Sequence, residues 1–464
     1  MSSYTPPPHG FRTFLILWVS QSVSVFGSAV TFFAITIWLT QVLYPSPEQK
    51  PQLALALSAV SLGFALPNVF SAPLAGAWAD RHDRRRTMLA ADVLNGLLSI
   101  LLVWLVVTRR LDLGSLVVMT VLYSVLASFH FSAFDTSYAM IVSEAQLPRA
   151  NGMMQTIWSL SGILSPALAA AIITLPGLAR QGTIPGYVGA RLATLSDGTA
   201  LAIGLDAITF FLAALTLGFL RIPSPQHAES GKEGERVSLW QDVRIGAQYI
   251  WQRRPLLWLL GTFTLANFAS SPLEVFQPLL VKFNLAPDWS ARGLTYEAAL
   301  ALLVSVGSVG GVLGGVLISL WGGLRRRRVY GVVVAILAAG LVQIAFGLSG
   351  SLYASAALLF VFHGLIPVMN SHSQTIWQTQ TPRELQGRVF AVRRLIAQFT
   401  WPLATALAGW VGGALDPGLV LAFLGLTLSA FCVAQLFNRQ LLRVEDKAYL
   451  DSLAAVQSSP PVTS

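Results

Sequence analysis

Twelve stretches of this 464-residue chain are apolar for about twenty residues or more, and nothing else in it narrows the possible folds so far. A helix of roughly 20 residues crosses a hydrocarbon layer about 30 Å thick. The stretches run approximately over 12–43, 52–79, 87–107, 114–142, 153–175, 200–220, 256–281, 298–321, 329–348, 352–377, 389–412 and 418–438. Only 11% of residues are charged and 54% are hydrophobic, whereas soluble domains carry about 25% charged residues. The pattern therefore predicts an all-α membrane protein of twelve transmembrane helices. Gly63 with Pro67, Gly162 with Pro166, Pro272 with Pro278, and Pro402 interrupt several spans. Lipid tolerates such breaks only where neighbouring helices or water cover the freed backbone groups, so these spans are expected to pack against others. Met1 to Gly10 is polar and Pro-rich, and the apolar run behind it is too long for a signal-peptide core. That run is expected to remain as the first span.

The placement of positive charge predicts the orientation. With the N-terminus in the cytoplasm, 23 of the 30 Lys and Arg residues fall in inward segments, including Arg81, Arg84 to Arg86, Arg325 to Arg328 and Arg388. The positive-inside bias then places both termini on the cytoplasmic side of the cell (inner) membrane. It also accounts for the net charge of +9 without a nucleic-acid partner. The single cysteine, Cys432, lies in an apolar stretch, so neither a disulfide framework nor a cysteine metal site is expected.

The longest inward connection, 221–255, divides the chain into 1–11 (tail), 12–220 (six helices), the linker, 256–438 (six helices) and 439–464 (tail). Pro223 to Glu235 reads as flexible. Ser238 to Arg253 sets Leu239, Val243, Gly246 and Ile250 on one helical face, with Trp240 and Ala247 beside them. That pattern suits a helix lying on the inner membrane surface and equally one packed on the bundle. The halves echo each other. Gly76 precedes an Arg cluster as Gly315 does, 239 residues later, and Pro166 and Pro402 stand 236 residues apart in similar surroundings. Such spacing points to duplication and two six-helix bundles related by pseudo-two-fold symmetry.

The stretch Gly76-Ala77-Trp78-Ala79-Asp80-Arg81-His82-Asp83-Arg84-Arg85-Arg86 resembles the Gly-x-x-x-Asp-Arg-x-x-Arg-Arg/Lys loop of the major facilitator superfamily. Phe14 to Gln21, Leu147 to Gly152, Ser238 to Trp251 and Glu384 to Arg394 look like its drug:proton antiporter branch, which includes macrolide-efflux proteins. The resemblance implies a gating loop in which Asp80 faces the start of span eleven in the opposite half. Arg81 and Arg84 would pair with nearby carboxylates, with Asp135 and Glu144 as partners, Arg85 would complete the cluster, and Gly76 would permit close helix approach. A cluster serving only topology is the alternative. One departure concerns coupling: the central Arg of span four in many proton-coupled exporters is absent, and Asp135 stands in that span instead.

Ionisable residues inside spans tend to face the protein interior or a water-filled path. Asp135 and Glu274, followed by Asp92 and Glu144, are the candidates for proton or substrate binding. Asp92 also reads as an inner-surface structural pair, and Asp206 as a residue near the outer headgroups. His130, His363 and His372 read as satisfied interior side chains, with a proton relay as the alternative. Trp18, Phe26, Phe33, Trp158, Phe268 and Trp377 lie on spans that line the cavity in the family this chain resembles, and each serves equally as packing. The expected function is export of amphipathic small molecules by alternating access, coupled to proton entry. A dedicated metabolite or siderophore exporter of the same fold is the alternative, and a non-transporting receptor a more distant one, since the tail after Arg439 leaves little room for a signalling domain. No phosphate loop or nucleophile elbow is present, so no enzyme activity is expected. The partners expected are a small-molecule substrate, protons and the bilayer, with no cofactor or metal, and the chain is expected to be a monomer.

Overall fold

The computed structural model describes residues 9–143, 146–220, 222 and 239–458, all of them helical or in turns and loops. The chain forms two compact units, one of residues 1–231 with 293–305 and one of 232–292 with 306–464. The first holds α1 (Gly10–Trp38), α2 (Lys50–Arg81), α3 (Arg84–Val107), α4 (Leu113–Ile141), α5 (Leu147–Arg180), α6 (Gly186–Ala193) and α7 (Thr199–Phe219). Asp side chains start two of these helices. Asp83 accepts a bond from the Arg86 amide at 2.9 Å and Asp112 from the Ser115 amide at 2.7 Å, which satisfies donors that a helix start otherwise leaves open. The Ser115 N–H also holds the exposed Asp112 carboxyl below its ordinary value.

Beyond the linker follow α8 (Leu239–Gln252), α9 (Arg254–Ser270), α10 (Leu273–Leu279), α11 (Ala286–Ala291), α12 (Tyr296–Trp321), α13 (Arg328–Leu348), α14 (Leu352–Gln380), α15 (Arg383–Ala414), α16 (Pro417–Leu436), α17 (Arg439–Leu442) and α18 (Lys447–Ser458). Among the described residues, eleven helical runs are long and apolar enough to cross a membrane. With its 32 residues, α15 supplies the twelfth span, although Glu384, Arg388, Arg393 and Arg394 crowd its first turns. The first span of each half ends in a π-helical turn, at Leu39–Leu43 and at Leu280–Asn284, a correspondence the sequence spacing alone does not show.

Glycine governs a close crossing in the second unit. Gly340 and Gly347 of α13 lie against Gly425 and Gly418 of α16; a methyl group on Gly425 would stand 2.6 Å from the Gly340 carbonyl oxygen. Small residues let membrane helices approach to backbone contact. Beside this crossing, the Gln343 amide donates to the carbonyls of Ala269 at 2.9 Å and Leu421 at 3.2 Å, tying α13 to α9 and α16.

Of the linker helix, the part before residue 239 lies outside the described residues. Helix α8 packs on the bundle: Gly246 sits against the Arg388 carbonyl, Ile250 is buried, and the Tyr249 hydroxyl donates to Gln380 O at 2.6 Å. The segment after Arg439 is docked rather than a loose tail. Leu441, Val444 and Leu450 are buried, Arg253 pairs with Asp451 at 3.4 Å, and Glu445 accepts from the Val329 amide at 3.4 Å. Apolar positions three residues apart (441 and 444) form the buried stripe.

At the other end of this unit, Asp288 accepts two bonds from Arg292 at 3.0 Å and one from the Leu352 amide at 2.8 Å, clasping α11 to the start of α14. These donors, Arg292 first, hold the Asp288 carboxyl below its ordinary 3.8. A lowered native pKa contributes stability above the ordinary value and loses it as pH falls through the lowered one. Asp288→Asn is therefore expected to show a shallower loss of thermal stability than the wild type between about pH 5 and pH 3. An identical acid slope in both proteins would contradict that role.

Candidate functional site

The two fully buried carboxylates among the described residues, Asp92 and Asp206, both lie in the first unit. Antiparallel packing of α3 on α7 sets their levels. The Arg85 guanidinium, at the start of α3, donates to Leu217 O at 2.7 Å and to Gly218 O, closing the C-terminal end of α7. Asp92 lies eight residues into α3, or about 12 Å along it, and Ser99 two turns further on.

Asp92 is 1% exposed and stands between α1 and α4. Its Oδ2 accepts from the Gln21 side-chain amide at 3.3 Å, and its Oδ1 faces His130 Nε2 at 3.2 Å. A buried carboxylate costs far less beside a basic group than alone in the low-dielectric interior. His130 of span four is thus the basic group that faces Asp92, at a position where the sequence favoured a satisfied interior histidine over a proton relay. The signal for it was a buried Asp and His on consecutive spans; their shared facing depends on helix rotation, which sequence alone does not fix. Asp135, on the same helix, is exposed and within electrostatic reach of His130.

Asp206 corrects the expectation of a residue near the headgroups. Helix α7 begins at Thr199, so Asp206 lies about two turns inside and is 1% exposed. The Ser28 hydroxyl donates to its Oδ1 at 3.0 Å and the Ser99 hydroxyl to its Oδ2 at 3.2 Å. Gly27 brings α1 close enough for this; a side chain there would strike Thr209 and Asp206.

Glu274, in the first turn of α10, is exposed while Leu273, Val275 and Phe276 around it are buried. A carboxylate at membrane depth does not face hydrocarbon without large cost, so Glu274 and Asp135 mark surfaces reached by water. Glu144 lies outside the described residues.

The loop after α2 differs from expectation in two respects. Arg84 does not reach Asp135; it donates to Ala79 O at 3.1 Å and Thr136 O at 3.2 Å, and among the described residues its carboxylate partner is Asp80 at 3.9 Å. Its planar fork is spent on backbone carbonyls at the end of α2 and within α4. Gly76 marks no close approach, because a methyl group there would meet nothing within 4 Å. Arg81 is exposed, as is most of the Asp80 side chain.

The aromatic candidates divide. Trp377 is 1% exposed and belongs to the core of the second unit with Ile376, Val389 and Val392, so it lines no cavity there. Phe33 is buried likewise. Trp18 is half-buried and donates its indole N–H to Met153 O at 3.0 Å, tying α1 to α5. Phe26 and Phe268 are half-buried, and Trp158 is exposed beside Phe131. His372 is fully engaged: Nδ1 donates to Val368 O at 2.7 Å and Nε2 accepts from the Leu324 amide at 2.8 Å. Both ring nitrogens are used, so it holds the turn before α13.

Comparison with known proteins matches the family model described as Major Facilitator Superfamily to residues 17–405. The chain is 26% identical over 410 residues to Macrolide efflux protein A of Streptococcus pyogenes, covering 85% of this chain and 88% of that protein. It is 28% identical over 378 residues to the multidrug efflux pump Tap of Mycolicibacterium fortuitum, covering 81% and 84%. Among solved structures, a bacterial homolog of the human lysosomal transporter Spinster, inward-facing and unoccupied, superposes with a TM-score of 0.62 at 16% identity. It covers 97% of this chain and 96% of that one.

Proposed function

Because this chain belongs to the major facilitator superfamily and is a multi-pass membrane transporter, not an enzyme, we propose that it exports amphipathic, macrolide-like small molecules by alternating access, driven by proton entry. One observation carries the coupling: a carboxylate and an imidazole, Asp92 and His130, face each other at 3.2 Å, buried inside the first unit. Uptake and release of a proton at such a pair is the elementary event a proton-driven exporter needs. The similarity to a macrolide efflux protein and a multidrug pump supports the substrate class. Glu274, exposed on α10, suits the cationic part of such a substrate, and Asp135 gives water access to His130. The positive-inside count supports both termini in the cytoplasm.

The test is accumulation of a panel of macrolides and cationic dyes in inverted membrane vesicles, with and without an imposed pH gradient. Accumulation that a protonophore abolishes is expected. Accumulation indifferent to the protonophore would overturn the coupling. Transport of a single metabolite and of no panel member would replace the drug exporter by a dedicated metabolite exporter.

A further inference from the structure

The interior of the first unit contains a second carboxylate that the Asp92–His130 pair does not touch, and the groups between the two form a continuous polar seam. On α1 the seam is Gln21, Ser24 and Ser28; on α3 it is Asp92, Asn95 and Ser99. In each helix the first and last of these stand seven residues apart, two turns, or about 10 Å. All but the half-buried Ser28 are at most 5% exposed. Polar groups on one face of two packed helices are costly in a membrane bundle unless they serve something.

We propose that Asp206 is a second proton-carrying station, receiving its proton from the Asp92–His130 pair along this seam, so that the proton crosses within the first unit. The inference rests on the proton coupling proposed above. Three features support it. Ser28 has a single hydroxyl proton, yet its oxygen lies 3.0 Å from Asp206 Oδ1 and 3.1 Å from the Ser24 carbonyl. When Asp206 is ionised, Ser28 donates to it. When Asp206 is protonated, its carboxyl donates to Ser28 Oγ and the Ser28 proton turns to Ser24 O. A hydroxyl rotor makes both arrangements complete, and Ser99 donates to Oδ2 in either.

The second feature is Tyr123 of α4. Its ring packs on Phe210 of α7 at 6.0 Å, one turn from Asp206, and its hydroxyl lies within electrostatic reach of both Asp206 and Asp92, which places a relay group between the stations. Third, the Asn95 side-chain oxygen is buried on the seam with no hydrogen-bond partner in the protein. A polar atom so placed is where a bridging water belongs. Among the described residues, the titratable groups facing Asp206 are Tyr123 of α4 and, further along, Asp92 of α3; α1 presents Gln21, serines and Thr31. In the transfer, the proton leaves the pair, passes over the Tyr123 and Ser28 hydroxyls, each giving one proton as it takes one, and comes to rest on Asp206 Oδ1.

The experiment compares Asp206→Asn, Asp206→Glu and Tyr123→Phe with the wild type in inverted vesicles. Two readouts are taken: collapse of a pre-formed pH gradient on adding substrate, and exchange of labelled substrate without a gradient. Asp206→Asn is expected to exchange substrate at the wild-type rate while losing the gradient collapse, and Asp206→Glu to restore part of it. Tyr123→Phe, which removes one hydroxyl, is expected to slow the collapse several-fold and decides the matter if Asp206→Asn does not fold. Full coupling in both Asp206→Asn and Tyr123→Phe, with Asp92→Asn uncoupled, overturns this inference and leaves the exporter reading intact. A wild type that collapses no gradient overturns both.

Discussion

Asp92→Asn is expected to abolish gradient-driven accumulation, reducing it to the level of vesicles without a pH gradient, while substrate exchange persists. The amide keeps the shape of the side chain and its contact with Gln21, but removes the carboxylate that faces His130 across 3.2 Å. An unpaired charge in a buried site costs about 3–5 kcal/mol, so without the carboxylate the site no longer takes up a proton. His130→Gln is expected to fail in the same way, leaving Asp92 without its partner. Gradient-driven accumulation at the wild-type level in Asp92→Asn would remove the pair from the mechanism.

Gly425→Val is expected to destabilise the second unit by roughly 3 kcal/mol, the upper end for overpacking, and to lower the yield of folded protein. The obstacle is backbone: the new Cβ would lie 2.6 Å from the Gly340 carbonyl oxygen and 3.0 Å from the Ile344 amide nitrogen, neither of which can rotate away. Gly315→Ala and Gly76→Ala are the controls, since a methyl group at either meets nothing within 4 Å. Thermal unfolding in one detergent separates the cases. A Gly425→Val protein melting with the controls would show that α13 and α16 have room to part.

The contrast among these glycines shows where sequence reading ends. Twelve spans were legible because roughly 20 apolar residues in a row have one economical home. Even α15 was found, despite its arginines, because the run behind them is long. Gly76 and Gly425 look alike in sequence; only the neighbouring helix separates open space from backbone contact. The same holds for the site. Asp92, Asp135, Asp206 and Glu274 were all visible as ionisable residues in apolar runs, but their burial depends on helix rotation. The pairing of Asp92 with His130 spans 38 residues and two helices, and no local pattern announces it. Asp206 was misplaced because a residue near a span's start was read as near its surface, although α7 starts two turns earlier. Trp377 was left open between cavity and packing, and only the neighbouring helices place it in a core. The docked segment after Arg439 was missed because Leu441, Val444 and Leu450 form a stripe too short to stand out.

Proton countertransport itself tests the central claim most directly. Inverted vesicles are acidified inside by respiration, the interior is reported by a quenched acridine dye, and a macrolide is then added. The account predicts prompt recovery of fluorescence in the wild type as protons leave in exchange for substrate, and none in Asp92→Asn. Substrate entering wild-type vesicles with no recovery of fluorescence would contradict it, because transport would then proceed without moving a proton.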